Sequence, residues 1–296
     1  MVRVGMIGLG NIGGAVAANL VADGHEVTVT DLDPARAAAI EGASAVDSVA
    51  GVAEKAEITI TSLPSPDALA AVAGEWATAA PDDAILLDIS TTSPERNRAI
   101  AEEIARQGRH FVEAPLTGGA PGAAQRTLVF MVGGEPEPVA RCLPILETLG
   151  RATFHLGPVG TGSTMKLVNS LLAFTCSWVS LEGLSLAANA GLDLRDVVDV
   201  IRTGGASNFF IDRAVEGINE RGRPPQFSLA LAAKDAELID ELAGESGIPA
   251  PVAGAIAEVF RDAIERGLGE HDWSDLVLIA EARGGVELRL RPPVTD

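Results

Sequence analysis

The chain has 296 residues, of which 47% are apolar, so it can bury a large core in one large domain or two smaller ones. Its formal net charge of −19 argues against binding to nucleic acid or to an anionic membrane surface, because the phosphates of both would be repelled. Two cysteines and four scattered histidines have the spacing of neither a disulfide framework nor a metal site, so no metal is expected.

Short β-branched or apolar runs alternate with alanine-rich helical periods from residue 2 to about residue 155. In chain order the predicted strands are VRVGMI, HEVTVTD, EITITSL, AILLDI, HFVEA, TLVFMVG and ATFHL, with helical periodicity between most of them. This rhythm predicts an α/β domain with a parallel, doubly wound Rossmann-type sheet that has helices on both faces.

Helical periodicity replaces the strand rhythm beyond Gly160. The predicted helices cover about 163–190, 193–203, 228–244, 250–267 and 272–283, with glycine or proline breaks between most of them. We therefore predict a Rossmann-type domain over residues 1–162. An all-α domain for substrate binding and oligomerisation is predicted over residues 163–296, and the long first helix joins the two domains.

The segment GLGNIG follows the first strand and precedes a helix that begins near Ile12, which is the context expected of a dinucleotide-binding loop. In such a loop Gly8 allows a tight turn, Gly10 lets the backbone approach a pyrophosphate, and Gly13 permits close helix packing. Asn11 and Ile12 complete the loop at the helix N-terminus, whose partial positive charge favours phosphate.

The second predicted strand ends at Asp31, 18 residues after Gly13. A carboxylate there can accept hydrogen bonds from both hydroxyls of an adenosine ribose. No arginine follows immediately, so a 2′-phosphate would meet Asp31 and Asp33 with little compensation, and the pattern favours NAD over NADP. The alternative is that Asp31 caps the next helix, a role that Asp33 before Pro34 fits better.

Lysine is scarce in this chain, since the 22 basic residues comprise 19 arginines and three lysines, Lys55, Lys166 and Lys234. A lysine can lose its proton at accessible pH and act as an acid or base, which an arginine cannot do. Lys166 lies in the small and apolar stretch GTGSTMKLVNSLL, and we interpret it as an acid/base. The alternative is a lysine that extends from an amphipathic helix to solvent.

Several segments, in the right order, resemble the β-hydroxyacid dehydrogenases, the family that includes 3-hydroxyisobutyrate dehydrogenase and tartronate semialdehyde reductase. The segments are GLGNIG, SLPSP, DISTTSP, EAPLTGGAPGA, GTGSTMKLVN, FSLALAAKD and HDWSDL, and the resemblance spans nearly the whole chain. It implies that Leu63, Pro64 and Thr91 lie near the cofactor and that Lys166 is the catalytic acid/base.

The resemblance also implies a substrate loop at Thr117, Gly118 and Gly119, where the family usually has serine in place of the threonine. Successive glycine N–H groups can form a small anion-binding nest for a carboxylate, although a plain glycine turn is the alternative.

The resemblance implies further substrate contacts from two segments of the helical half of the chain. Asn169 and Ser170 share a helix face with Lys166, and the family commonly has an asparagine where this chain has Ser170. Lys234 is implied to approach substrate and cofactor, unless it forms an ordinary solvated pair with Asp235.

These features predict an oxidoreductase that transfers a hydride between NAD and a small 3-hydroxy acid or its semialdehyde, of the 3-hydroxyisobutyrate or 2-hydroxy-3-oxopropionate type. One alternative is an imine reductase-like NAD(P)H enzyme, which Lys166 disfavours. Another is a 6-phosphogluconate dehydrogenase, which the Asn169–Ser170 pair and the absence of tyrosine disfavour. A non-catalytic NAD-binding protein of the same fold is an alternative from a different class.

Location and assembly are predicted from the same sequence. The N-terminus lacks a secretory signal, and no apolar run reaches the roughly 18 residues needed to span a bilayer, so we expect a cytoplasmic protein. The stretch 171–190 is apolar over much of its circumference, which together with the family resemblance predicts a homodimer or homotetramer.

Overall fold

The computed structural model describes residues 2–290 and divides the chain into two compact units, Met1–Leu167 and Val168–Asp296. The predicted domain boundary, between residues 162 and 163, and the boundary between the two units both fall near the beginning of the same long helix.

The first unit is built on one mixed sheet. Its strands are β1 Arg3–Ile7, β2 Glu26–Thr30, β3 Ser44–Ala45, β4 Ile58–Thr61, β5 Ile85–Asp88, β6 His110–Glu113, β7 Leu116–Thr117, β8 Leu128–Gly133 and β9 Gly150–Gly157. Over residues 2–290 their order is β3-β2-β1-β4-β5-β6-β8-β7, with β9 paired to β8. Strands β1 to β6 are parallel, so their carboxyl ends meet at one edge of the sheet, where open α/β folds bind ligands.

The sheet departs from the predicted all-parallel arrangement at its far end, where β8 runs antiparallel to β6 and β7. A parallel crossover takes about a dozen residues or more and usually a helix. Only ten residues, 118–127, separate β7 from β8, and they include just the short helix α6, Gly119–Ala124, so the chain turns back instead. β9 follows the 14-residue helix Pro136–Leu149 and is parallel to β8.

Helices cover both faces of this sheet. They are α1 Gly13–Ala22, α2 Pro34–Ala38, α3 Val49–Ala53, α4 Pro66–Ala79, α5 Pro94–Arg106, α6 Gly119–Ala124 and α7 Pro136–Leu149. Leu87 belongs to a buried cluster with Leu20 of α1, whereas its strand neighbour Leu86 belongs to another with Trp76 of α4. Because successive strand residues point to opposite faces, the two clusters are the cores of the two faces.

The second unit is helical, as predicted. Its elements are the long helix α8 Thr161–Asn189, which begins in the first unit, then α9 Leu194–Thr203, α10 Phe209–Asn219, α11 Leu229–Ser246, α12 Pro251–Glu265, the 3-10 turn Trp273–Asp275 and α13 Leu276–Gly284. The helix prediction omitted α10. Its signal was present as a cap, because Asn208 Oδ1 accepts hydrogen bonds from the N–H groups of Phe210 and Ile211.

Helix α8 corrects the expectation that no apolar run reaches the roughly 18 residues needed to span a bilayer. It has 29 residues and a mean hydropathy of 1.4 over an 18-residue window, which is sufficient for a span by length and composition alone. Apolar core helices pass the same test, and 33% of that window is buried inside the structure. Leu172, Val179 and Leu186 are exposed along α8 at seven-residue spacing, and the oligomeric state stays a prediction.

Candidate active site

The glycine loop between β1 and α1 excludes side chains at two positions. Gly8 has a φ of +88°, and a Cβ there would lie 2.4 Å from the carbonyl oxygen of Ser62. A Cβ at Gly13 would lie 1.9 Å from the carbonyl oxygen of Gly8. At Gly10, in contrast, no non-neighbouring atom of the described residues lies within 4 Å of the Cβ position. The protein itself does not require glycine there, and the open, exposed position fits the approach of a pyrophosphate.

Asp31 follows β2, and its side chain is only 9% exposed. Its Oδ2 accepts a hydrogen bond from the N–H of Leu9 at 2.6 Å, and its Oδ1 accepts one from the N–H of Asp33 at 2.9 Å. The carboxylate therefore fastens the glycine loop, a role that sequence reasoning missed. Asp33 accepts from the N–H of Ala35 at 3.0 Å and caps α2, as predicted.

Arg36 is a positive group that the spacing argument for NAD overlooked. Its Nη1 lies 3.9 Å from Asp31 Oδ1, and its Nε lies 3.8 Å from Asp33 Oδ2. The arginine comes five residues after Asp31, and helix α2 turns it back toward the end of β2. An arginine near this position can accommodate the 2′-phosphate of NADP, although here two carboxylates lie beside it.

The two predicted cofactor loops are joined through Ser90. The N–H of Leu63 donates to Ser90 Oγ at 2.8 Å, and Ser90 Oγ donates to Asp88 Oδ1 at 2.6 Å. Pro64 is exposed beside Leu63, and Thr91 is half-buried beside Ser90. The structure therefore holds the SLPSP and DISTTSP segments together at the carboxyl ends of β4 and β5.

Asp88, which sequence reasoning did not single out, anchors this junction. It is fully buried, and its Oδ1 also accepts from Thr61 Oγ1 at 2.7 Å. Burial raises the pKa of Asp88 to about 6, the hydrogen bonds from Ser90 and Thr61 oppose that rise, and the neighbouring Glu113 carboxyl adds to it.

The predicted substrate loop lies at the end of β7. Thr117 is half-buried, and Gly118 and Gly119 are exposed in left-handed conformations, with φ of +119° and +61°. A side chain is disfavoured at both glycines by these dihedral angles. An anion nest and a plain glycine turn are both compatible with this backbone, so the carboxylate site stays a prediction.

Glu113 ends β6 and is fully buried among hydrogen-bond donors. Its Oε1 accepts from the N–H groups of Gly160, Gly162 and Ser163 at 2.7, 2.8 and 3.2 Å. Its Oε2 accepts from Asn97 Nδ2 at 2.7 Å and from Ser163 Oγ at 2.5 Å. The first turn of α8 is thereby tied to the carboxyl end of the parallel strands, a feature that sequence reasoning also missed.

Lys166 is half-buried in the second turn of α8 and belongs to the first unit. Asn169 and Ser170 follow on the same helix in the second unit, where Asn169 is half-buried and Ser170 is 3% exposed.

Lys234 lies on α11, and its Nζ is 2.7 Å from Oδ1 of Asp235. The pair that was considered as the alternative role of Lys234 is present, but Asp235 is buried rather than solvated. Over residues 2–290, no cluster of three or more His, Cys, Asp or Glu side chains could hold a metal ion.

Comparisons with known proteins cover both units. Residues 3–157 match the model for the NAD binding domain of 6-phosphogluconate dehydrogenase, and residues 160–280 match that for NAD-binding of NADP-dependent 3-hydroxyisobutyrate dehydrogenase. Mitochondrial 3-hydroxyisobutyrate dehydrogenase of Drosophila melanogaster is 34% identical over 92% of this chain and 87% of its own. The Pseudomonas aeruginosa 3-hydroxyisobutyrate dehydrogenase is 36% identical over 72% of this chain and 73% of its own.

A solved structure of Mycobacterium tuberculosis 3-hydroxyisobutyrate dehydrogenase with L-serine has a TM-score of 0.84 and 27% identity to this chain. The match covers 94% of this chain and 98% of that one. The sequence matches agree with the observed fold, which is a Rossmann-like unit followed by a helical one. Both agree with the predicted family. The chain therefore belongs to the 3-hydroxyisobutyrate dehydrogenase family of NAD(P)-dependent β-hydroxyacid dehydrogenases.

Proposed function

We propose that this protein is an NAD-dependent enzyme that interconverts a small 3-hydroxy acid and its semialdehyde, with Lys166 as the general acid/base. The observation that carries this proposal is the position of Lys166 in the second turn of α8. The first turn of that helix is hydrogen-bonded to Glu113 at the carboxyl end of β6, the sheet edge at which open α/β folds bind ligands.

The chain's own residues have separable tasks in this reaction. Bound NAD(P) supplies the hydride acceptor or donor. The loop shaped by Gly8 and Gly13 would hold its pyrophosphate at the open position of Gly10, and Asp31 would hold its ribose. In oxidation neutral Lys166 takes the proton of the substrate hydroxyl, and in reduction its ammonium form returns that proton to the carbonyl oxygen.

The proposed substrate is a small carboxylate of the 3-hydroxyisobutyrate or 2-hydroxy-3-oxopropionate type. With a formal net charge of −19 the chain needs local donors to hold an anion, and the exposed backbone of Gly118 and Gly119 beside the Thr117 hydroxyl offers them. Asn169 and Ser170, one turn beyond Lys166, are proposed to contact the rest of the substrate. The mycobacterial relative that contains L-serine, a 3-hydroxy acid, supports this substrate class.

Initial rates of cofactor reduction test the proposal across 3-hydroxyisobutyrate, glycerate, serine, threonate and 4-hydroxybutyrate. On an accepted substrate, Lys166→Ala should lower kcat by about 10²- to 10⁴-fold, because a positioned acid/base contributes that much, while the Kd for NAD is retained. Lys55→Ala is the matched control, since Lys55 is exposed on the first unit, and it should keep the wild-type rate. Unchanged turnover in Lys166→Ala would refute the acid/base assignment.

The proposed preference for NAD has its own test. Its support is the pair of carboxylates, Asp31 and Asp33, that flank Arg36 at the end of β2. We expect a higher kcat/KM with NAD than with NADP. Asp31→Ser keeps a small acceptor for the N–H of Leu9 but removes the charge. It should therefore reduce the ratio of kcat/KM with NAD to kcat/KM with NADP. A wild-type protein that used NADP more efficiently would contradict the preference.

A further inference from the structure

The carboxylate of Glu113 occupies a site built for it. Its two oxygens receive five hydrogen bonds, three from backbone N–H groups and two from the side chains of Asn97 and Ser163. A group that only accepts hydrogen bonds fits such a set of donors, and an ionised carboxylate is such a group. A buried charge is costly unless it is paired and hydrogen-bonded, and here the N-terminus of α8 supplies the compensating partial positive charge.

The glycines around Glu113 make room for this arrangement. A Cβ at Gly133 would lie 2.4 Å from Glu113 Oε1, and a Cβ at Gly162 would lie 2.4 Å from the carbonyl oxygen of Met131. Gly160 has a φ of +101°, in the left-handed region. The glycines of the segment GTGS therefore let β8 and the start of α8 close around the carboxylate, rather than making the helix start flexible.

The turn that Glu113 holds carries Lys166 directly. In an α-helix the N–H of residue 166 bonds to the carbonyl oxygen of residue 162, and residues 163 and 166 share a face. Gly162 and Ser163 are the helical residues whose N–H groups donate to Glu113. A displacement of that first turn therefore displaces the lysine.

Asn97 extends the same network to a predicted cofactor loop. Its Nδ2 donates to Glu113 Oε2 at 2.7 Å and to Ser163 Oγ at 2.8 Å. Its Oδ1 accepts from Thr92 Oγ1 at 2.7 Å, and Thr92 adjoins Thr91. One buried network thus fixes the lysine turn and the threonine loop relative to each other.

We propose that Glu113 is a positioning residue, which holds the first turn of α8 so that Lys166 is placed for proton transfer. This inference rests on the proposed role of Lys166 and adds to it a residue that does not itself touch the substrate. Because Glu113 acts through backbone groups, its loss should affect kcat and the ionisation of Lys166 more than cofactor binding.

Glu113→Gln is the primary test, since it keeps the side-chain shape and replaces one acceptor oxygen with a donor. On an accepted substrate we expect kcat to fall about tenfold to a hundredfold, the range in which small misplacements act, with the Kd for NAD unchanged. The double variant Asn97→Asp/Glu113→Gln restores a donor–acceptor pair between these two side chains and should recover much of the lost rate.

A second readout does not depend on turnover. Reductive ¹³C-methylation labels the N-terminal amine and the three lysines, and the Lys166 resonance is assigned by its loss in Lys166→Arg. In Glu113→Gln the ionisation midpoint of Lys166 should move to lower pH, because a negative group no longer offsets the positive helix end. The midpoints of Lys55 and Lys234 should not move.

Leu146→Ala is the matched control for stability. Leu146 is fully buried in α7 of the same unit, so its truncation destabilises the unit without altering the Glu113 network. While folded, this variant should keep the wild-type kcat and Lys166 midpoint. The proposal is overturned if Glu113→Gln behaves in the same way, with a lower Tm and nothing else changed.

A milder variant covers the case in which Glu113→Gln does not fold. Ser163→Ala removes the hydroxyl that donates to Glu113 and accepts from Asn97, but it keeps the Glu113 carboxylate and its backbone donors. It should change kcat and the Lys166 midpoint in the same direction as Glu113→Gln but to a smaller extent. An unchanged kcat and midpoint in Ser163→Ala would overturn the proposal in that case. A wild-type protein that turned over no hydroxy acid would refute the proposed function instead, and the Lys166 titration would still decide whether Glu113 acts on that lysine.

Discussion

Asp88→Asn tests how the ionisation of a buried carboxyl at the end of β5 changes the free energy of unfolding with pH. Asp88 is fully buried, and within the described residues its Oδ2 has no hydrogen-bond partner. Burial raises its pKa from 3.8 to about 6 against the hydrogen bonds from Ser90 and Thr61. The folded chain therefore holds this proton more tightly than the unfolded chain, and the free energy of unfolding falls as the pH rises through that window. A difference of about two pH units corresponds to roughly 3 kcal/mol.

Urea unfolding at about pH 4 and about pH 8 measures this contribution. In a Trp178→Phe/Trp273→Phe background, Trp76 remains as the reporter of the first unit. Asparagine keeps the Oδ1 acceptor but cannot ionise, so wild type should lose about 2–3 kcal/mol relative to Asp88→Asn between the two pH values. A difference between the two proteins that is constant with pH, or that has the opposite slope, would refute the reasoning.

Asp272 in the second unit is the control of opposite sign. It is also fully buried, but hydrogen bonds from Ser274, Gln226 and Arg223 outweigh the effect of burial and lower its pKa. Its contribution to stability is present above the unfolded-state pKa and is lost as the pH falls through the folded-state pKa. The cost of Asp272→Asn should therefore be nearly the same at about pH 8 and about pH 4, and it should shrink only as the pH falls below 3.8.

Two further predictions concern local structure. Gly10→Ala should leave the stability of the first unit nearly unchanged while weakening NAD binding measured by calorimetry, whereas Gly13→Ala should lower stability because its Cβ would meet the carbonyl oxygen of Gly8. Equal loss of stability in both variants would contradict this assignment. Asn208→Ala should cost about 1 kcal/mol in the unfolding of the second unit, since it removes the cap of α10. Asn208→Asp should retain most of that stability, and a cost as large as that of the alanine variant would argue against the cap.

Features that depend on neighbours in the chain were predictable. Turn dihedrals and helix caps depend on a few neighbouring residues. For this reason the sequence predicted the glycine loop of Gly8, Gly10 and Gly13 and the helix start at Asp33–Pro34. The switch from strand rhythm to helical periodicity near Gly160 is local as well, and the fold class followed from it. The scarcity of lysine had already singled out Lys166, and the family resemblance supported that interpretation and added other residues, among them Leu63, Pro64 and Thr91.

Residues whose roles depend on contacts far along the chain could not be predicted from local sequence. Asp88 and Glu113 begin two of the segments that carry the family resemblance, DISTTSP and EAPLTGGAPGA, but neither segment indicates what its carboxylate holds. They lie side by side because β5 and β6 pair in parallel register, which places Asp88 opposite Glu113. Arg36 reaches Asp31 only because α2 turns back toward the end of β2.

The sequence by itself determined the two-part architecture, the cofactor loop and the candidate lysine, since periodicity and turn chemistry are short-range properties. Only the tertiary structure decided what holds that lysine. Burying a carboxylate at the end of β6 becomes favourable when the N-terminus of a helix about 50 residues later supplies its hydrogen bonds, and no local pattern encodes such a long-range pairing.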